Sequence, residues 1–160
     1  MGVTCFESAC NSSEFLCRIV FMKMDYMNIK TSIKIMLGFL LVVIVFHFCI
    51  LTKLIPYDIV WGGRLQSDTE MYLFETVSIM INLFLAIILM MKGNYIKFQF
   101  REKGINIVLW IFLVIFALNT LGNILAKTAF EKSFAVLTLL FAILIFNILR
   151  KSNKTYEPER

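Results

Sequence analysis

Apolar residues along this chain gather into four blocks, at positions 35–51, 71–91, 105–126 and 134–149, divided by short charged segments. A hydrocarbon layer about 30 Å thick takes roughly 20 helical residues, with about 17–25 as the working range. The second and third blocks reach that length directly. The first and fourth reach it once Lys34, Lys53, Lys132 and Arg150 carry their charges outward on extended stems.

Backbone N–H and C=O groups inside lipid must be paired within the protein, which leaves helices or a closed barrel. Continuous apolar runs lack the in–out alternation of barrel strands. The pattern therefore predicts an all-α, polytopic membrane protein, an antiparallel four-transmembrane-helix bundle with spans at about 33–52, 71–91, 105–126 and 133–149. Around this domain, 32–150, lie an N-terminal segment at 1–31, a loop at 53–70 and a tail at 151–160.

Composition agrees with the pattern. Of 160 residues, 59% are hydrophobic and only 17% charged, and the mean hydropathy is +0.80, far too apolar for a water-soluble domain. The net charge of +5 changes meaning once it is sorted by side. Arg18, Lys23, Lys30, Lys34, Lys92, Lys97, Arg101, Lys103, Arg150, Lys151, Lys154 and Arg160 fall on one side of a four-span chain. Only Lys53, Arg64, Lys127 and Lys132 fall on the other, accompanied by Asp58, Asp68, Glu70, Glu75 and Glu131. Short basic segments stay cytoplasmic, so both termini and the middle loop are expected inside. The basic face then meets anionic lipid headgroups, and no nucleic-acid partner is expected.

The N-terminal segment holds Cys5, Cys10 and Cys17 without CxxC pairs; on the cytoplasmic side these are expected as free thiols. Phe6 stands where a myristoylation signal needs Ser or Thr. Positions 1–25 show no clear period, whereas the residues from Met27 read as an ordinary entry into a first span. Two readings stay open: a disordered cytoplasmic segment, or a start of translation at Met24 or Met27.

Chemistry concentrates near the opposite face. The loop reads TKLIPYDIVWGGRLQSDTE over 52–70. Tyr57 and Trp61 suit the headgroup layer as anchors. In a second reading the loop is a lid, with Gly62 and Gly63 giving it backbone freedom and Arg64 offering a positive fork to a carboxylate or phosphate. Within the second span, Glu75, Ser78, Asn82 and Ala86 share one helical face; within the third, Asn119, Gly122, Asn123 and Ala126 form a similar stripe. The two stripes are expected to face each other. At a rise of about 1.5 Å per residue, His47, Glu75 and Asn123 lie at one level, with Ser78 and Asn119 about a turn deeper. A carboxylate in hydrocarbon needs a partner, and His47, Asn123 or Arg64 can supply it.

The candidate ligand-binding residues are therefore His47, Tyr57, Asp58, Trp61, Arg64, Glu75, Ser78, Asn82, Asn119 and Asn123. No metal set is expected, because the chain has a single histidine and a stable site takes three or four ligands. No cofactor motif, glycine-rich phosphate loop or nucleophile elbow occurs. Three functions fit these residues: a binding or accessory protein with an outward-facing polar pocket for a lipid headgroup or small amphiphile; an intramembrane enzyme or proton-coupled carrier using Glu75 and His47; or a structural subunit of a membrane complex. Expected partners are membrane lipids, such an amphiphile, and a further copy of the chain or another membrane protein. The richness in Phe, Ile, Lys and Asn suggests AT-rich coding and a bacterial cytoplasmic membrane.

Overall fold

The computed structural model describes residues 28–56, 65, 67–97, 100–126 and 129–154. The readings of 1–27 and of Tyr57, Asp58, Trp61 and Arg64 lie outside the described residues. Four helices follow one another: α1 (Ile29–Leu51), α2 (Asp68–Lys92), α3 (Glu102–Ile124) and α4 (Ala129–Lys154). Each is long and apolar enough to cross a membrane, and no strand occurs among the described residues. The protein is a multi-pass membrane protein built as a four-helix bundle.

The helices begin earlier than some apolar blocks because polar residues cap them. Asn28 accepts from the backbone N–H of Lys30 at 3.3 Å and starts α1 ahead of the first block. Ser67 accepts from the N–H of Glu70 at 3.3 Å, and Asp68 and Glu70 complement the positive end of α2. The helix closes on Lys92 and Gly93, and the chain reverses through Asn94 at φ 58°, a left-handed conformation that asparagine tolerates better than most side chains.

Around the bundle, α3 packs most extensively on α4 and α1 on α2; α4 also packs on α1, and the α2–α3 seam is the slightest. Burial is correspondingly uneven. The spanning stretch of α4 is 44% buried, against 22% for each of the other three, so α4 is the helix enclosed on two sides.

The apolar core occupies one half of the bundle. Its buried members are Ile33, Met36 and Leu40 on α1, Leu85, Ile88, Leu89 and Met91 on α2, Ile105, Leu109 and Phe112 on α3, and Phe141, Leu144, Ile145, Ile148 and Leu149 on α4. All of these lie toward the end where α1 and α3 begin and α2 and α4 finish. A chain of rings closes this half at mid-bundle: Phe84 meets Phe112, Phe112 meets Phe116, Phe116 meets Phe141 at 5.0 Å, and Phe141 meets Phe39. In the other half the buried apolar cluster shrinks to Ile50, Leu65 and Met71.

At the packed end a lysine draws three helices together. The Lys92 ammonium donates to Glu102 Oε1 at 3.1 Å, to Asn106 Oδ1 at 2.8 Å and to Ser152 Oγ at 2.6 Å, with its side chain 4% exposed. Three N–H donors meet three acceptors, so the charge is fully solvated by protein. Counted in the sequence only among the basic residues of one side, the lysine is the tie between α2, α3 and α4. Substitution Lys92→Met is expected to cost about 1–3 kcal/mol, less than a sealed ion pair because Glu102 can turn to water. Lys34→Met, on the exposed face of α1, should leave the unfolding midpoint in detergent within error of the parent.

Candidate functional site

His47 and Glu75 meet across α1 and α2. The imidazole Nδ1 lies 2.6 Å from Glu75 Oε2; the glutamate side chain is 0% exposed and the histidine 16%. Each helix contributes through its own geometry. His47 sits four residues before the end of α1 and Glu75 seven after the start of α2, depths of about 6 and 10 Å on a rise of 1.5 Å per residue. The antiparallel hairpin α1–α2 brings these levels together, as the sequence arithmetic requires.

In the tautomer that carries its proton on Nδ1, the imidazole donates to Glu75 Oε2, and a neutral ring then has its lone pair on Nε2. That second nitrogen has no hydrogen-bond partner among the described residues and is not sealed from the surroundings. The pair therefore offers an acceptor when the ring is neutral and a donor when it is an imidazolium held by the carboxylate. Closer to the helix ends, Lys53 and Asp68 form an ion pair at 2.6 Å, both about half exposed, with the ammonium 5.8 Å from the centre of the Tyr72 ring. An exposed pair of this kind contributes little stability, but it joins the same two helices above the dyad.

The remaining polar residues disperse. Asn82 turns back on its own helix and donates from Nδ2 to the Ser78 carbonyl at 2.7 Å; both residues are half-buried. Asn119 is exposed at the bundle perimeter and Asn123 half-buried, and neither side chain forms a hydrogen bond among the described residues. The expectation that the α2 and α3 stripes face each other is corrected here. The α3 side chain turned inward is Thr120, whose hydroxyl is hydrogen-bonded to that of Thr138 on α4 at 2.9 Å. The reason is packing: Ile105, Leu109, Phe112 and Thr120 form the buried face of α3, and that face lies on α4, leaving Asn119 about 100° away around the helix. Cys49, two residues from His47, is a half-buried free thiol.

Sequence reasoning thus brought His47 and Glu75 together and misassigned Asn119. It also missed Thr120 with Thr138, although a threonine one position from a polar stripe is the only trace such a contact leaves. A cleft of about 330 Å³ lies at the packed end between Met91, Lys92, Asn94, Phe100, Glu102 and Ile105; the ammonium beside it is already saturated by protein oxygens.

A buried carboxylate that loses one of its partners is more costly than the loss of both groups of the pair together. His47→Leu is therefore expected to destabilise the protein by about 3–5 kcal/mol, and the double substitution His47→Leu with Glu75→Leu by clearly less, measured as unfolding midpoints in one detergent. Additive losses would show that the two side chains do not act as a pair. Comparison of the chain with protein families, with curated proteins and with solved structures finds no match.

Proposed function

We propose that this protein is a binding or accessory protein of a bacterial cytoplasmic membrane, with both chain ends on the cytoplasmic side, and that it seats a lipid headgroup or small amphiphile at the extracytoplasmic half of the bundle. The observation that carries this reading is the His47–Glu75 pair: a buried carboxylate orients an imidazole whose Nε2 is left for something else to bond. Its place in the bundle supports the same reading, since the main apolar core stops at the mid-bundle phenylalanines and, among the described residues, the buried apolar cluster beyond them is Ile50, Leu65 and Met71. A polar head entering there would meet Nε2, while its apolar part stays among exposed side chains such as Val45, Phe48 and Phe74.

The orientation rests on charge. Among the described residues, Lys30, Lys34, Lys92, Lys97, Arg101, Lys103, Arg150, Lys151 and Lys154 cluster at the packed end, and Lys53 and Lys132 at the dyad end; basic segments are retained in the cytoplasm.

A second reading, proton-coupled transport or intramembrane catalysis through the same pair, draws on the Nε2 lone pair as a proton acceptor. It needs a translocated ion or a turned-over substrate, whereas binding needs neither.

The experiment is substitution of His47 by Asn, whose amide N–H stands close to the position of Nδ1 and keeps a donor for Glu75 while nothing replaces Nε2. Lipid co-purifying with the protein, quantified by mass spectrometry, is expected to fall about tenfold, the equivalent of one charge-assisted hydrogen bond, with the unfolding midpoint preserved. Unchanged bound lipid alongside a lowered midpoint would mean that the pair only ties α1 to α2.

A further inference from the structure

A polar side chain on a lipid-facing helix has to be explained by what satisfies it. Asn119 lies five residues before the end of α3, about 7–8 Å along the axis, between Leu118 and Leu121, which are 62% and 58% exposed. In a helix of 23 residues, longer than a hydrocarbon layer of about 30 Å by only a few ångström, that depth falls within the apolar layer. It is exposed and unbonded, and in hydrocarbon no water replaces the missing partners.

Three neighbours share its side of the helix. Ile111 is 54% and Ile115 41% exposed, and Gly122 is exposed with no atom within 4 Å of where a Cβ would stand. Ile111, Ile115, Asn119 and Gly122 are spaced by four, four and three residues, a continuous seam along one helix face. The glycine leaves room for a neighbouring backbone to come close beside the amide.

We propose that a second copy of this chain packs against α3 along Ile111, Ile115, Asn119 and Gly122, with the two Asn119 amides hydrogen-bonded to each other inside the membrane. The choice of partner follows from symmetry and chemistry. Copies of one chain insert with the same orientation, because the same basic segments are retained on the same side. A two-fold dimer therefore has its axis along the membrane normal, runs the two α3 helices parallel, and sets every residue at the depth of its own counterpart. An amide is both donor and acceptor, so an asparagine meeting its counterpart at one level satisfies both. An Asn pair in an apolar seam also fixes register and orientation. This inference is independent of the headgroup reading, which uses α1 and α2.

The test uses the full-length chain, donor- and acceptor-labelled, in vesicles of phosphatidylethanolamine and phosphatidylglycerol, with energy transfer followed as the protein is diluted in lipid. The parent is expected to self-associate saturably, Asn119→Gln to retain association, and Asn119→Leu to weaken it by about threefold to twentyfold, the range measured for hydrogen bonds between membrane helices. Because Asn119 makes no contact that holds the fold, the Leu variant should keep the parent unfolding midpoint. A parent that stays monomeric at every density, as it would if a lipid or a different protein covered the seam, overturns the proposal, as does undiminished association of Asn119→Leu. A second measurement does not depend on that variant: with Cys5, Cys10, Cys17 and Cys49 replaced by Ser, Asn119→Cys should oxidise to a cross-linked dimer. Leu121→Cys, roughly 200° around the helix, should not, and equal cross-linking at both positions also overturns the proposal.

Discussion

The arrangement of this bundle turns on the cost of placing a carboxylate in hydrocarbon. Glu75 lies well inside α2, and its side chain is wholly enclosed. An isolated charge there would be unfavourable by a few kcal/mol even on the mildest insertion scales. Pairing with His47 removes most of that penalty and obliges α2 to present the Glu75 face to α1. With α1 and α2 committed to each other, α3 is left to bury its own apolar face on α4, and the α2–α3 seam becomes the thinnest in the ring. One pairing therefore sets which helices are close neighbours, without any of the four losing its fitness to span lipid.

The packed half is held together by different forces. Between helices in a bilayer the lipid tails are as apolar as the side chains, so association depends on close fit and on hydrogen bonds. Phe39, Phe84, Phe112, Phe116 and Phe141 supply the fit at mid-bundle, and Lys92 with Glu102, Asn106 and Ser152 supplies the bonds near the end. The Thr120–Thr138 contact does the same between α3 and α4 on the other side of the ring layer. Each helix thus has at least one specific tie besides its apolar surface.

How much of this could be read from the residues depends on the range over which the cause acts. Four spans were legible because hydropathy over 17 or more residues is a local property, whereas the starts expected at about 33 and 71 fall at Ile29 and Asp68, because Asn28 and Ser67 cap the helices ahead of the apolar blocks. The His47–Glu75 contact was legible because the α1–α2 hairpin converts sequence distance into depth, and a buried carboxylate admits few partners. The rotation of α3 was not. Asn119 and Thr120 are adjacent and both polar, and which one turns inward is decided by how the whole face from Ile105 to Thr120 fits α4. The Lys92 tie was equally hidden, since its acceptors lie 10, 14 and 60 residues away and no local pattern links them. Of the loop residues named as candidates, Tyr57, Asp58, Trp61 and Arg64 lie outside the described structure, while Lys53 and Asp68 at its edges form an ion pair that charge counting treated only as a tally.

The one-sided core has a mechanical consequence. Close-packed side chains resist compression, and here they fill the bundle from Ile33 and Ile148 up to the phenylalanine layer, leaving few enclosed apolar groups beyond it. The filled end of the bundle is therefore the part least able to change its cross-section when lateral pressure in the bilayer shifts with lipid curvature or tension.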